Sequence, residues 1–173
     1  ENNPLIAEAS NVDLTRQLAE AAASNSIKLI FLSTDLVFDG LQSDHSTLYE
    51  DSKPCPNSVY GKTKFEAESV VLNASDKNIV VRIPLIYGPS LSKSAGPVGW
   101  IFEALKSNKP LNLFTDEWRN PIYIFDAINI LSNLIDCKFK GILHLPGPNR
   151  LSRYEMGMLI SKVFKLNSDL INP

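Results

Sequence analysis

Glycine is scarce in this chain, with 8 among 173 residues, below the roughly 7% of an average protein. Neither Gly-x-Gly-x-x-Gly nor Gly-x-x-Gly-x-x-Gly occurs, so the chain holds no glycine loop for a dinucleotide pyrophosphate. Gly96-x-x-Gly99 contains Pro97 and follows no strand pattern, and reads as loop. Gly61-Lys62-Thr63 has Pro56 where a phosphate-binding loop needs its first glycine, which rejects that motif. Cysteine is scarcer still. Cys55 and Cys137 lie far apart, which excludes a disulfide scaffold and makes a reducing, cytoplasmic setting the expectation. His45 and His144 have no partners at metal-ligand spacing, so no metal is expected. Neither sign of charge dominates: 17 Lys and Arg face 19 Asp and Glu, for a net charge of -2. That argues against a nucleic-acid partner and against a polybasic membrane anchor. No apolar run approaches the roughly 18 residues of a membrane span.

What is present is ordinary globular composition, 44% hydrophobic and 21% charged, enough for one domain with a core. Helical periodicity runs from Asn11 to Ala23 and again from Asn57 to Leu72, the second capped by Asn57 or Ser58. Between them Lys28 to Thr34 is a short apolar run, and Asn78 to Ile83 is another, as in strands buried on both faces. A long polar loop spans Asp35 to Pro56. Leu91 to Gly99 reads as loop, Trp100 to Lys106 as helix, and Leu111 to Phe114 and Ile122 to Ile124 as short strands. Asp126 is expected to cap a helix to Ile135, Gly141 to Leu145 to form a last strand, and Ser152 with Glu155 to form a capping box opening a helix to Phe164. The alternation of helix and strand predicts an α/β fold with a parallel sheet.

The strongest chemical signal is Tyr60-x-x-x-Lys64. Residues i and i+4 share a helix face. A nearby ammonium favours a phenolate and is expected to lower the tyrosine pKa, which makes the pair a candidate proton donor to a carbonyl oxygen. Ser33 and Thr34 stand at the carboxyl end of the preceding strand pattern, where sheets of this class place their sites. His144, inside an apolar strand, reads as a satisfied structural histidine.

Four blocks widen this signal. They are Phe31-Leu32-Ser33-Thr34-Asp35-Leu36-Val37-Phe38-Asp39-Gly40, Pro56 through Glu68, Val81-Arg82-Ile83-Pro84-Leu85-Ile86-Tyr87-Gly88, and the looser Arg119 through Asp126. In these blocks the chain resembles the extended short-chain dehydrogenase/reductases, and within them the dTDP-4-dehydrorhamnose reductase group. Leu36 stands where that group has a tyrosine, and Ala67 where it has a glycine. The non-catalytic β subunit of methionine adenosyltransferase is built on the same fold and is similar around Tyr60 to Lys64, Arg82 to Pro84, and Arg153 to Met156.

The resemblance implies a partial Rossmann-type doubly wound sheet with a small substrate-binding part. Residues 1–88 would carry the Tyr-x-x-x-Lys motif, and 89–173 would be mainly substrate-binding. It implies NADP or NAD as cofactor, contacted by Ser33, Tyr60, Lys64, Ile83 and Pro84. Tyr60, Lys64 and Thr34 would be catalytic. Thr34, Asp35, Leu85 and Arg119 would meet a nucleotide-sugar substrate, Arg119 at its diphosphate. A protein partner is implied if the role is regulatory, and a homodimer is an open expectation. Because the family's glycine loop lies upstream of such residues, the chain is expected to be the central and C-terminal piece of a longer protein. The absent βαβ elements would take roughly 60 to 90 residues. Alone, the piece is expected to bind a dinucleotide poorly.

Overall fold

The computed structural model describes residues 3–40, 47–89 and 96–173. His45, and the stretches 41–46 and 90–95 of the two loops, lie outside the described residues. The helices are α1 (Pro4–Glu8), α2 (Leu14–Ser24), α3 (Val59–Ala74), α4 (Gly96–Lys106), α5 (Ile124–Asp136) and α6 (Arg153–Phe164). The strands are β1 (Ile30–Thr34), β2 (Ile79–Ile83), β3 (Ile86–Tyr87), β4 (Leu111–Asn112), β5 (Trp118–Arg119), β6 (Ile122–Tyr123), β7 (Gly141–His144), β8 (Leu151–Ser152) and β9 (Ile171–Asn172). A π turn, Ala9–Asp13, joins α1 to α2. The chain divides into two compact units. One runs through Ile83 and takes up Asn129–Leu145, and the other holds Pro84–Ile128 and Pro146–Pro173.

The first unit is the parallel α/β arrangement that the alternation predicts. Its sheet has the order β1-β2-β7, all parallel. β2 is central and buried at every position, as its run Ile-Val-Val-Arg-Ile requires. β1 lies at the edge, with Leu32 46% exposed. Helices α2 and α3 pack together, and their buried positions include small or short side chains, Thr15 and Ala19 in α2 and Thr63 and Ala67 in α3. Asn78 pins three elements with one buried amide. Its Oδ1 accepts the Leu29 N–H at 2.9 Å, and its Nδ2 donates to the Val71 carbonyl at 2.8 Å. The Lys28 ammonium donates to the carbonyls of Leu134 and Cys137, each at 2.8 Å, so a cation closes the C-terminal end of α5.

The second unit is held by an apolar cluster of Ile101, Ala104, Leu105, Leu111, Leu113, Ile160 and Ile171. α4 packs on α6 there, and Gly157 lets the Leu113 side chain approach where a Cβ would collide. Three two-residue ladders tie its loops: β3 with β6 and β4 with β9, both parallel, and β5 with β8, antiparallel.

Two sequence expectations are corrected. α4 begins at Gly96, so part of the Leu91–Gly99 stretch is helix. Its Pro97 falls in the first turn, where a missing N–H costs nothing. α5 begins at Ile124, which puts Asp126 inside the first turn. There it favours the helix by charge at the amino end. The capping box is formed: Glu155 N–H donates to Ser152 Oγ at 3.1 Å, and Ser152 N–H to Glu155 Oε2 at 2.8 Å. Among the described residues, no helix is long and apolar enough to cross a membrane.

Candidate functional site

Tyr60 stands in the first turn of α3, which Ser58 caps by accepting the Gly61 N–H at 3.0 Å. The next residue explains why this turn lies where it does. A Cβ on Gly61 would overlap the Leu36 carbonyl oxygen and press on Pro56. Glycine therefore lets the start of α3 seat directly on the short 3-10 turn Asp35–Val37 that follows β1. Thr34 caps that turn. Its hydroxyl accepts the Leu36 N–H at 3.2 Å and donates to the Asp35 carboxylate at 3.3 Å. One glycine thus brings the helix that bears Tyr60 against the turn of Asp35 that Thr34, at the end of β1, caps.

The electrostatics differ from the expectation. Burial holds the Tyr60 phenol above its ordinary value, and the Asp35 carboxylate pushes it the same way. Lys64 does not lower it. The Lys64 ammonium is turned to the Leu32 carbonyl, 2.6 Å away, and rests 4.0 Å from the centre of the Phe31 ring. Burial draws the Lys64 pKa down, and the Glu68 carboxylate opposes that shift.

Ser33 lies in register with Arg82 of β2, and Arg82 in register with His144 of β7. Laterally paired residues share a sheet face, so the three form a polar row across the unit's whole sheet. Glu68 of α3 descends onto it. The Ser33 hydroxyl donates to Glu68 Oε1 at 2.5 Å, and Arg82 grips both carboxylate oxygens at 3.0 and 2.7 Å. The Glu68 and Arg82 side chains are each 2% exposed. Ser33 is buried and its one proton is committed to Glu68, which leaves its oxygen as an acceptor.

The row continues to His144, whose Nε2 lies 3.2 Å from Arg82 Nη1. Arginine can only donate, so that ring nitrogen accepts and the imidazole is neutral. Burial lowers its pKa, against the pull of Glu50. The His144 backbone N–H donates to Glu50 Oε1 at 2.9 Å. This satisfied histidine is what the sequence suggested. The sequence reading missed Glu68, Arg82 and Glu50, and also Asn11, whose amide donates from the π turn to Thr63 Oγ1 at 2.9 Å.

Ile83 ends β2 and is buried. Pro84, Leu85 and Arg119 belong to the second unit. The Leu85 carbonyl accepts the Ile122 N–H at 2.9 Å beside the β3–β6 ladder. Arg119 pairs with Glu117 at 3.2 Å, and Glu117 is shared with Arg153 at 2.8 Å. The Arg150 guanidinium stacks 4.6 Å from the centre of the Trp118 ring. Three arginines and an indole therefore gather around β5 and β8. Among the described residues no group of His, Cys, Asp and Glu could hold a metal ion, and both cysteines are free.

Comparison with known proteins places these features. The family described as RmlD substrate binding domain matches residues 1–173. Methionine adenosyltransferase 2 subunit beta of Xenopus tropicalis is 35% identical over 181 residues, covering 100% of this chain and 53% of that protein. The crystal structure of dTDP-4-dehydrorhamnose reductase from Yersinia enterocolitica superposes with a TM-score of 0.88 at 26% identity, over 100% of this chain and 60% of that one. The dTDP-4-dehydrorhamnose reductase of Bacillus anthracis, solved in complex with NADP, has a TM-score of 0.85 at 24% identity, over 94% and 56%. This chain spans about half the length of the curated relatives it matches.

Proposed function

The chain belongs to the RmlD substrate binding domain family, and from that premise we propose that the complete protein is a nicotinamide-dependent reductase of a 4-keto-6-deoxy nucleotide sugar. The observation that carries the reading is the seating of the first turn of α3, which bears Tyr60, on the 3-10 turn after β1, where Asp35 acts on the Tyr60 phenol, with Lys64 one turn further along the same helix face. Tyr60 is 40% exposed, so its side chain is only partly covered by the fold. A phenol held above its ordinary pKa keeps its proton at neutral pH, and a proton donor needs that proton. When the carbonyl oxygen gains charge, the phenol donates its proton to it.

The donor set fits a nicotinamide nucleotide: an ammonium and a phenol suit ribose hydroxyls, and Ile83 and Pro84 offer an apolar wall. A nicotinamide supplies the hydride when bound. Thr34 orients the carbonyl and Asp35 orients Thr34. In the second unit Leu85 meets the sugar and Arg119 the diphosphate, with Arg150 and Trp118 beside it. The division proposed from the sequence is kept: residues 1–88 are the part of the Rossmann-type domain that carries the Tyr-x-x-x-Lys motif, and 89–173 are mainly substrate-binding, interleaved with the last Rossmann elements. The proposal includes a cytoplasmic location, no nucleic-acid or membrane partner, and a homodimer as its first oligomeric test.

The second reading is a non-catalytic NADP-binding regulatory subunit acting through a protein partner. The 35% identity to methionine adenosyltransferase 2 subunit beta favours it, and so does a Lys64 ammonium turned to a backbone carbonyl. One assay separates the two. The complete protein is given NADPH and dTDP-4-keto-6-deoxyglucose, and loss of NADPH absorbance is followed. In the reductase reading Tyr60→Phe removes most of the turnover, by about 10²-fold or more, and leaves NADPH affinity nearly unchanged. NADPH binding without consumption in the unaltered protein establishes the regulatory reading instead.

A further inference from the structure

The polar row under α3 takes no part in the proton transfer, yet it lies one helical turn from it. Tyr60, Lys64 and Glu68 follow one another at intervals of four and so share the face that α3 turns to the sheet. Glu68 is fixed at two strands at once, to Ser33 of β1 and through a two-pronged grip to Arg82 of β2. An apolar side chain at this place would supply burial without direction, because the hydrophobic effect does not prescribe an orientation. A forked ion pair does prescribe one. The strand residue that Lys64 reaches, Leu32, immediately precedes Ser33. Rotation or sliding of α3 that stretched the Glu68 bonds would draw Lys64 off its carbonyl.

We propose that Glu68 is a positioning residue for the Tyr60–Lys64 pair, setting the rotation of α3 through Ser33 and Arg82 so that the Lys64 ammonium meets the Leu32 carbonyl. The inference rests on the reading of Tyr60 and Lys64 as the working pair. Glu68 also acts on the charge of Lys64: its carboxylate is the group that counters burial there. β1 contributes only the Phe31 ring and the Leu32 carbonyl as direct contacts of that ammonium.

The test uses the complete protein carrying Glu68→Met with Arg82→Met, which removes both buried charges together and keeps side-chain volume. Lysine reactivity toward an acylating reagent is followed against pH, and Lys64 is read by mass spectrometry, with Lys64→Arg locating its peptide. The expected result is a cooperative melt with a Lys64 midpoint moved to lower pH, about tenfold faster labelling at neutral pH for each unit of that shift. An unmoved midpoint in a folded double variant overturns the proposal. If the double variant does not fold, Ser33→Ala removes one anchor and leaves the ion pair. A smaller shift of the same sign then supports the proposal, and no shift overturns it. Turnover is scored separately with Tyr60→Phe. Tyr60-dependent turnover with an unresponsive Lys64 removes this inference alone. A responsive Lys64 without turnover removes the catalytic reading alone.

Discussion

The two units use the same Arg–Glu chemistry in opposite environments. In the first, Glu68 and Arg82 are each 2% exposed and are joined to Ser33 and His144 in a closed row. In the second, Glu117 shares itself between Arg119 and Arg153 with side chains 18 to 30% exposed. Water reaches the second cluster and can replace a lost partner. It does not reach the first, where each charge depends on the other. The buried pair is therefore a device for geometry, and the outer cluster is a movable set of charges at a surface.

The sharpest way to break the contrast is to leave one charge of each pair alone. Arg82→Met strands Glu68 in the sheet interface and should cost about 3–5 kcal/mol, read as a large fall in melting temperature of the complete protein. The Glu68→Met, Arg82→Met double variant should recover most of that loss, because the desolvation cost goes with the charges. A single variant that melts like the unaltered protein would place water at Glu68 and dissolve the distinction.

Acid sharpens it further. The His144 pKa is lowered in the folded protein, chiefly by burial, so unfolding takes up a proton below the ordinary histidine value near 6.5. Its share of stability is complete above that pH and is lost as pH falls toward the folded pKa. Glu50 is lowered too, first by the His144 backbone N–H. Its share is present above the ordinary carboxylate range and is lost below it. Glu117 behaves likewise through Arg153. Melting temperature should thus begin to fall just below pH 6.5 on account of the buried row alone. His144→Asn should remove that first decline and leave the later, carboxylate one. An unchanged profile in the variant would assign the decline to another group.

The smallest effect belongs to the outer cluster. Glu117→Gln should change stability by no more than about 1 kcal/mol, measured by the same melt. It should shift the salt dependence of any anion binding more than the fold. A loss as large as that of Arg82→Met would mean that Glu117 is enclosed and that the two clusters do not differ in kind.

What the sequence showed and what it hid divide along the same line. Ser58, the Ser152–Glu155 box, the β2 run and Tyr60 with Lys64 are local patterns, written within a few residues. The row from Ser33 to Arg82 to His144 joins positions far apart in the chain, and only strand register brings them level. Glu68 read as an ordinary helix carboxylate because nothing near it in sequence tells that its face is covered. Gly96 misled because a glycine and a proline resemble a loop even when they open a helix. The turn of Lys64 toward Leu32 depended on how deep α3 sits, which Gly61 decides by the absence of a Cβ.

The π turn at Ala9–Asp13 has a consequence of another sort. It holds one more residue per turn than the helices on either side, so the chain loses step there. Val12 within it and Thr15 and Ala19 beyond it are buried, while Leu14 and Leu18 look outward. Had the helix kept regular time from Pro4, those two sets would stand about 100° around the axis from where they do. The π turn thereby sets the phase of α2 and carries the Asn11 amide that reaches Thr63.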